Sequence, residues 1–205
     1  MAITYLSGER IQGSSTGTAT LTYSNDFSSD NMVDVDSSKI GISGGVLNFD
    51  SERDGTNDAS SWDLGSTLSD TAWVMRFKTI LTTMTGNGGQ NTIFMFFGMS
   101  SLPSSSGSSA SHDFIGTQIK KNSGASVWKA QSVNGSNLDI EGTDFGHTAT
   151  TETVYVEVKR TSATTGTVEL FSDATYETSV ESENISGITS AITGLQYFWA
   201  GNLTR

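Results

Sequence analysis

The chain of 205 residues has no Cys, a single Pro and 11 basic residues. The missing Cys excludes a disulfide scaffold, thiolate-bound zinc, iron–sulfur clusters and any thiol nucleophile. The only two His, His112 and His147, are too few for the usual zinc-enzyme ligand sets. Against 22 Asp and Glu, the 11 Lys and Arg leave a formal charge of −11. Such a chain lacks the clustered basic footprint that displaces counterions from nucleic acid, so no nucleic-acid partner is expected. An anionic membrane surface is disfavoured for the same reason. Long apolar runs are absent too. The strongest, Ile93 to Phe97 (I-F-M-F-F), falls far short of the roughly 20 residues that cross a bilayer. No membrane insertion is expected.

The opening M-A-I-T-Y-L-S-G-E-R has no basic start followed by a long apolar run and does not read as a signal peptide. Richness in Ser, Thr and Gly (32, 28 and 22 residues), with few Lys, fits an extracellular or virion protein. Without a visible leader, a cytoplasmic setting stays open.

What is present is strand periodicity. In 71–80, T-A-W-V-M-R-F-K-T-I, Trp73, Met75 and Phe77 alternate with Val74, Arg76 and Lys78. In 153–160, Val154, Val156 and Val158 alternate with Tyr155, Glu157 and Lys159. Alternation of this kind marks a sheet with one dry face. Segment 92–98 is apolar on both faces and is expected in the middle of a sheet. Further strands are expected near 17–23, 39–43, 45–53, 56–64, 113–120, 126–132, 166–171 and 194–201. No window holds apolar residues at helical spacing. Asp54-Gly55 predicts a two-residue hairpin turn pairing Leu47 with Trp62 and Phe49 with Ser60. T-T-G-T at 164–167 predicts a second hairpin, between 153–160 and 166–171. The stretch 100–112 is low-complexity and reads as an exposed loop.

These features predict an all-β chain, a two-sheet antiparallel jelly-roll β-sandwich with a short N-terminal arm. The arm is residues 1–16, and 17–205 forms one domain. Ile3, Tyr5, Leu6 and Ile11 give the arm apolar residues with no hairpin signal to tie them down, which predicts self-association through it, by strand addition to a neighbour's sheet edge or in cis.

The order of D-F-S-S-D-N-M-V-D-V-D at 26–36, G-G-V-L-N-F-D at 44–50, W-D-L-G at 62–65, V-Y-V-E-V-K-R, T-V-E-L-F-S and the closing G-L-Q-Y-F-W-A-G-N resembles concanavalin A-like lectin/glucanase and laminin-G-like domains over residues 20–203. The resemblance implies a lectin-like surface module without catalysis, binding a glycan or surface polymer, on a virion or outside a cell. A self-assembling virion or surface-layer component is the alternative, and a glycoside hydrolase or polysaccharide lyase a second one. Glucanases of that superfamily carry E-x-D-x-E on one strand, where alternation puts all three carboxylates on one face. Here Asn137 stands at the nucleophile's place in N-L-D-I-E, so the resemblance implies no enzyme activity, with Asp139 and Glu141 left to hold sugar.

Two further groups of residues complete the candidates. Asp50, Asp54 and Asp58, in D-S-E-R-D-G-T-N-D, space oxygen ligands as in the opening of a calcium loop, although the twelfth position is Ser61 rather than Glu. No cofactor is required on this reading, and any metal is a structural calcium. Among the four Trp, Trp128 has polar neighbours and is the candidate sugar platform, with His112 and Asp113 on the same rim.

Overall fold

The computed structural model describes residues 2–6, 20–34, 40–49, 59–82, 93–103, 112–121, 126–136 and 142–204. Among them there is no helix. The strands are β1 (Ala2–Leu6), β2 (Thr20–Asn25), β3 (Val33–Asp34), β4 (Ile40–Ser43), β5 (Val46–Phe49), β6 (Ala59–Asp63), β7 (Trp73–Leu81) and β8 (Ile93–Ser100). They continue with β9 (His112–Lys121), β10 (Ser126–Ser136), β11 (Thr143–Ala149), β12 (Glu152–Arg160), β13 (Gly166–Phe171), β14 (Ser179–Asn184) and β15 (Tyr197–Thr204).

Two sheets make a mainly antiparallel sandwich: a six-stranded one in the order β14-β13-β12-β7-β1-β2 and a seven-stranded one in the order β11-β10-β9-β8-β15-β6-β3. The alternation of β7 and β12 explains the first. Phe77 pairs with Val156 and Met75 with Val158, and across β13 Val156 meets Leu170 while Val158 meets Val168. All six side chains are buried in the core between the sheets. The second sheet answers with Met99, Ile115, Ile119, Trp128, Ala130 and Phe198. The doubly apolar segment at 92–98 becomes β8, the central strand, as its composition predicts. The 164–167 hairpin also forms, with Arg160 opposite Gly166.

At one side of the sandwich the sheets are tied by a carboxylate. Glu181 on β14 accepts from the backbone N–H of Gly146 at 2.8 Å and of His147 at 2.6 Å, both on β11.

One expectation is corrected. The pairing of Leu47 with Trp62 and Phe49 with Ser60 does not occur, and the Asp54-Gly55 turn itself lies outside the described residues. Instead β5 folds back on β4 through Gly44-Gly45, whose φ values of 65° and 72° suit a two-residue hairpin turn. That frees β6 to pair with β15 and β3. Part of the arm pairs in cis. Residues Ala2–Leu6 form a strand bonded in parallel to β2 on one side and β7 on the other.

Candidate functional site

The parallel pairing of β1 with β7 runs only from Ile3 opposite Val74 to Leu6 opposite Phe77. On the other side β12 follows β7 to its end, with Lys78 opposite Tyr155 and Leu81 opposite Glu152. Lys78 to Leu81 therefore have a strand partner on one edge only among the described residues. A strand edge left this way presents backbone N–H and C=O groups to whatever lies beside it.

Beside it is a cavity of about 440 Å³ at the mouth between the sheets. Residues 77–82 form one wall, and Met95, Phe97 and Phe198 of the opposite sheet form another. The β4–β5 hairpin closes it with Val46, Leu47 and Asn48, and Phe27 completes the floor. Phe77 and Phe97 face each other across the two sheets, with ring centroids 5.8 Å apart. Lys78 borders the cavity through the strand, while its ammonium lies on the outer face of the sheet, 5.8 Å over the Tyr155 ring. A volume of this size, lined mainly by apolar side chains, suits an organic group of a few side chains' bulk.

A second, drier constellation lies on the opposite face of the seven-stranded sheet. There Phe96, Phe114, Val133, Trp199 and Ala59 form their own apolar cluster, away from the core between the sheets. Gln118, Lys129 and Gln131 stand on the same face and are almost wholly buried. Lys129 is paired with the carboxylate of Asp144.

The residues singled out from sequence are dispersed. Trp128 is fully buried in the core between the sheets, opposite Ile119, and cannot serve as an exposed platform. Its polar neighbours Lys129 and Gln131 misled because they occupy the other face of β10, which is buried as well. His112 is buried against the Trp199 ring, with centroids 5.6 Å apart. Asp113, next in the strand, points the other way. It accepts from Gly135 N–H and Thr193 N–H, each at 2.9 Å, and so ties the end of β10 to the loop before β15. The structure does not bring Trp128, His112 and Asp113 to one rim. Asp139 and Glu141 lie outside the described residues, as do Asp50, Asp54 and Asp58. Among the described residues, no group of three or more acidic or His side chains is arranged to hold a metal ion.

Sequence reasoning missed the whole mouth. The mouth is assembled from five separated segments, and its only local signal was the Gly44-Gly45 turn that folds the β4–β5 hairpin.

No family model matches the chain, and no curated protein matches it. Two solved structures resemble it. One is a scytalidoglutamic peptidase with a peptide-based transition-state analogue: TM-score 0.43, 13% identity, covering 73% of this chain and 64% of that one. The other is SCP-B, a member of the eqolisin family of peptidases, in complex with the tripeptide Ala-Ile-His: TM-score 0.35, 14% identity, covering 74% of this chain and 64% of that one. The chain thus spans a little under two thirds of the length of either peptidase. Neither is a concanavalin A-like lectin or a laminin-G-like domain. This finding overturns the lectin-family resemblance and the readings hung on it: the non-catalytic surface module with its alternatives, and the absence of enzyme activity. At this level of likeness no residue's role is carried over from either peptidase to this chain.

Proposed function

We propose that the chain binds an extended, apolar peptide segment at the mouth between its sheets. The observation that carries this is the juxtaposition of the edge of β7 from Lys78 to Leu81, paired on one side only among the described residues, with the apolar cavity it borders. A peptide laid along that edge gains main-chain hydrogen bonds, and its alternate side chains enter the cavity, the division of labour seen in strand addition.

The test is retention of short synthetic peptides by the immobilised protein, with bound species and any new termini identified by mass spectrometry. Apolar peptides of extended character should be retained, and N-methylation at alternate residues should abolish retention by removing the main-chain donors. Ile80→Asp should weaken it as well; Ile80 is half exposed, so this change spares the core. Retention that ignores both N-methylation and Ile80→Asp would overturn the reading. Cleaved products would add hydrolysis to binding.

A further inference from the structure

The cavity at the mouth is lined by Phe27, Phe77, Phe97 and Phe198, with the Met95 thioether beside them. It opens to one side. Along the inward row of β8, Met99 is fully buried, whereas Phe97 and Met95 are only half-buried. Along β7, Phe77 is buried and Thr79 half-buried, and the rim residues Ile80 and Val46 are 51% and 43% exposed. The floor is fixed in advance. Phe27 has a φ of 54°, a left-handed backbone that a residue with a β-carbon adopts only at a cost. Its N–H donates to Asn25 Oδ1 at 2.9 Å, and the buried Asn25 amide donates in turn to Asn31 Oδ1 at 2.8 Å. Backbone strain held in this way by its surroundings concentrates at functional positions.

We infer that the peptide taken at the mouth is recognised through one aromatic side chain, seated against Phe97 with Phe27 as the floor that sets its depth. This rests on the peptide reading above, whose class of ligand it narrows. Any apolar side chain gains by leaving water, whatever its shape. Only an aromatic ring gains further from offset or edge contacts with neighbouring rings, and from a thioether at its edge. The Phe77–Phe97 pair, with centroids 5.8 Å apart and planes inclined at 38°, is such a contact already formed, and a guest ring extends it. Because the Asn25 bracket holds Phe27 in place, little order has to be created when the guest arrives.

The experiment titrates the full chain by calorimetry with capped hexapeptides of one valine–threonine sequence. They differ at a single central residue: phenylalanine, cyclohexylalanine, leucine or alanine. The phenylalanine peptide should bind roughly 3–10-fold more tightly than the cyclohexylalanine one, which is similar in size and apolar character but has no π face. Phe27→Leu and, at a half-buried ring, Phe97→Leu should each erase that preference, while main-chain N-methylation still abolishes binding. Equal affinity for the phenylalanine and cyclohexylalanine peptides, with N-methylation still abolishing binding, would overturn the aromatic seat and leave the peptide reading standing. A preference that survives in both variants would overturn the placement of the seat. No binding by any of the four peptides would overturn both readings.

Discussion

Arg160 Nη1 donates to the carbonyl oxygen of Ile192 at 2.9 Å, across the end of the sandwich. The same guanidinium donates to Ser162 O at 3.1 Å through Nε and to Ala163 O at 2.9 Å through Nη2. One planar fork thus ties the β12–β13 turn to the loop before β15. Burial pulls its pKa below the ordinary arginine value, opposed by the charges of Asp70 and Asp113. Hydrogen bonds from a buried charge are among the stronger ones, so Arg160→Met should cost roughly 3 kcal/mol in denaturant unfolding. Arg160→Lys should recover only part of this, since an ammonium cannot reproduce the fork. An unchanged midpoint in Arg160→Met would show that the loop is held by other means.

Gly98 and Gly116 face each other across β8 and β9. A Cβ on Gly116 would stand 2.3 Å from Phe97 O and 2.6 Å from Phe114 Cζ; one on Gly98 would stand 2.5 Å from Ile115 O. The obstacles are backbone and a buried ring, none of which can swing aside. Gly116→Ala should therefore destabilise by about 1–3 kcal/mol despite the better strand propensity of alanine. Chemical denaturation checks it, and a neutral result would mean that the two strands can part.

Asp173 organises the β13–β14 turn. Its carboxylate accepts from Thr175 N–H at 2.9 Å, Thr178 N–H at 2.7 Å and the Thr175 hydroxyl. The Thr175 hydroxyl is the chief cause of a pKa held far below the ordinary 3.8, with the turn's N–H groups adding to it. The turn sets Tyr176 at a φ of 58°, with its ring 5.4 Å from that of Phe171 and the Arg76 guanidinium 4.6 Å above it. Because the folded pKa is the lower one, the stabilisation is complete above the ordinary carboxylate range and is lost as the pH falls towards the folded value. Asp173→Asn should melt earlier than the parent at neutral pH, and the gap should narrow on acidification below pH 3.8. A gap independent of pH would remove the carboxylate's charge from the account.

Glu181→Ala should unfasten the β11 edge from β14. Hydrogen exchange should quicken at the amides of Gly146 and His147, which lose their acceptor, while β9 and β12 stay protected. If those two amides keep their protection, the edges are joined by packing alone.

Legibility in the sequence followed the dryness of one face at a time. β7 and β12 could be read because their outer faces carry Arg76, Lys78, Glu157 and Lys159 against an apolar inner row. β14, S-V-E-S-E-N, could not: it is an edge strand with Val180 largely exposed, so no dry face writes itself into the residues. β1 escaped because its partners are parallel, and parallel pairing leaves no turn signal nearby. Asp54-Gly55 was over-read, since a turn dipeptide says nothing of which strand a neighbour will pair with. The candidate sites were the least legible part. Phe27 sits in an unremarkable D-F-S-S-D-N-M, and only the bracket from Asn25 and the cavity it borders give it meaning.

The interior place of β15 governs the order in which this chain can fold. β6 and β8 lie far earlier in sequence, yet each finds one of its two neighbours only in Tyr197–Thr204. Until that segment has been synthesised, the growing polypeptide carries two bare strand margins, one of them the apolar Ile93–Ser100. Assembly of the larger sheet must then wait for that segment, and contacts so distant in sequence form slowly. During that interval the nascent protein is open to mispairing with its own copies, a hazard that a holding chaperone at the ribosome would relieve.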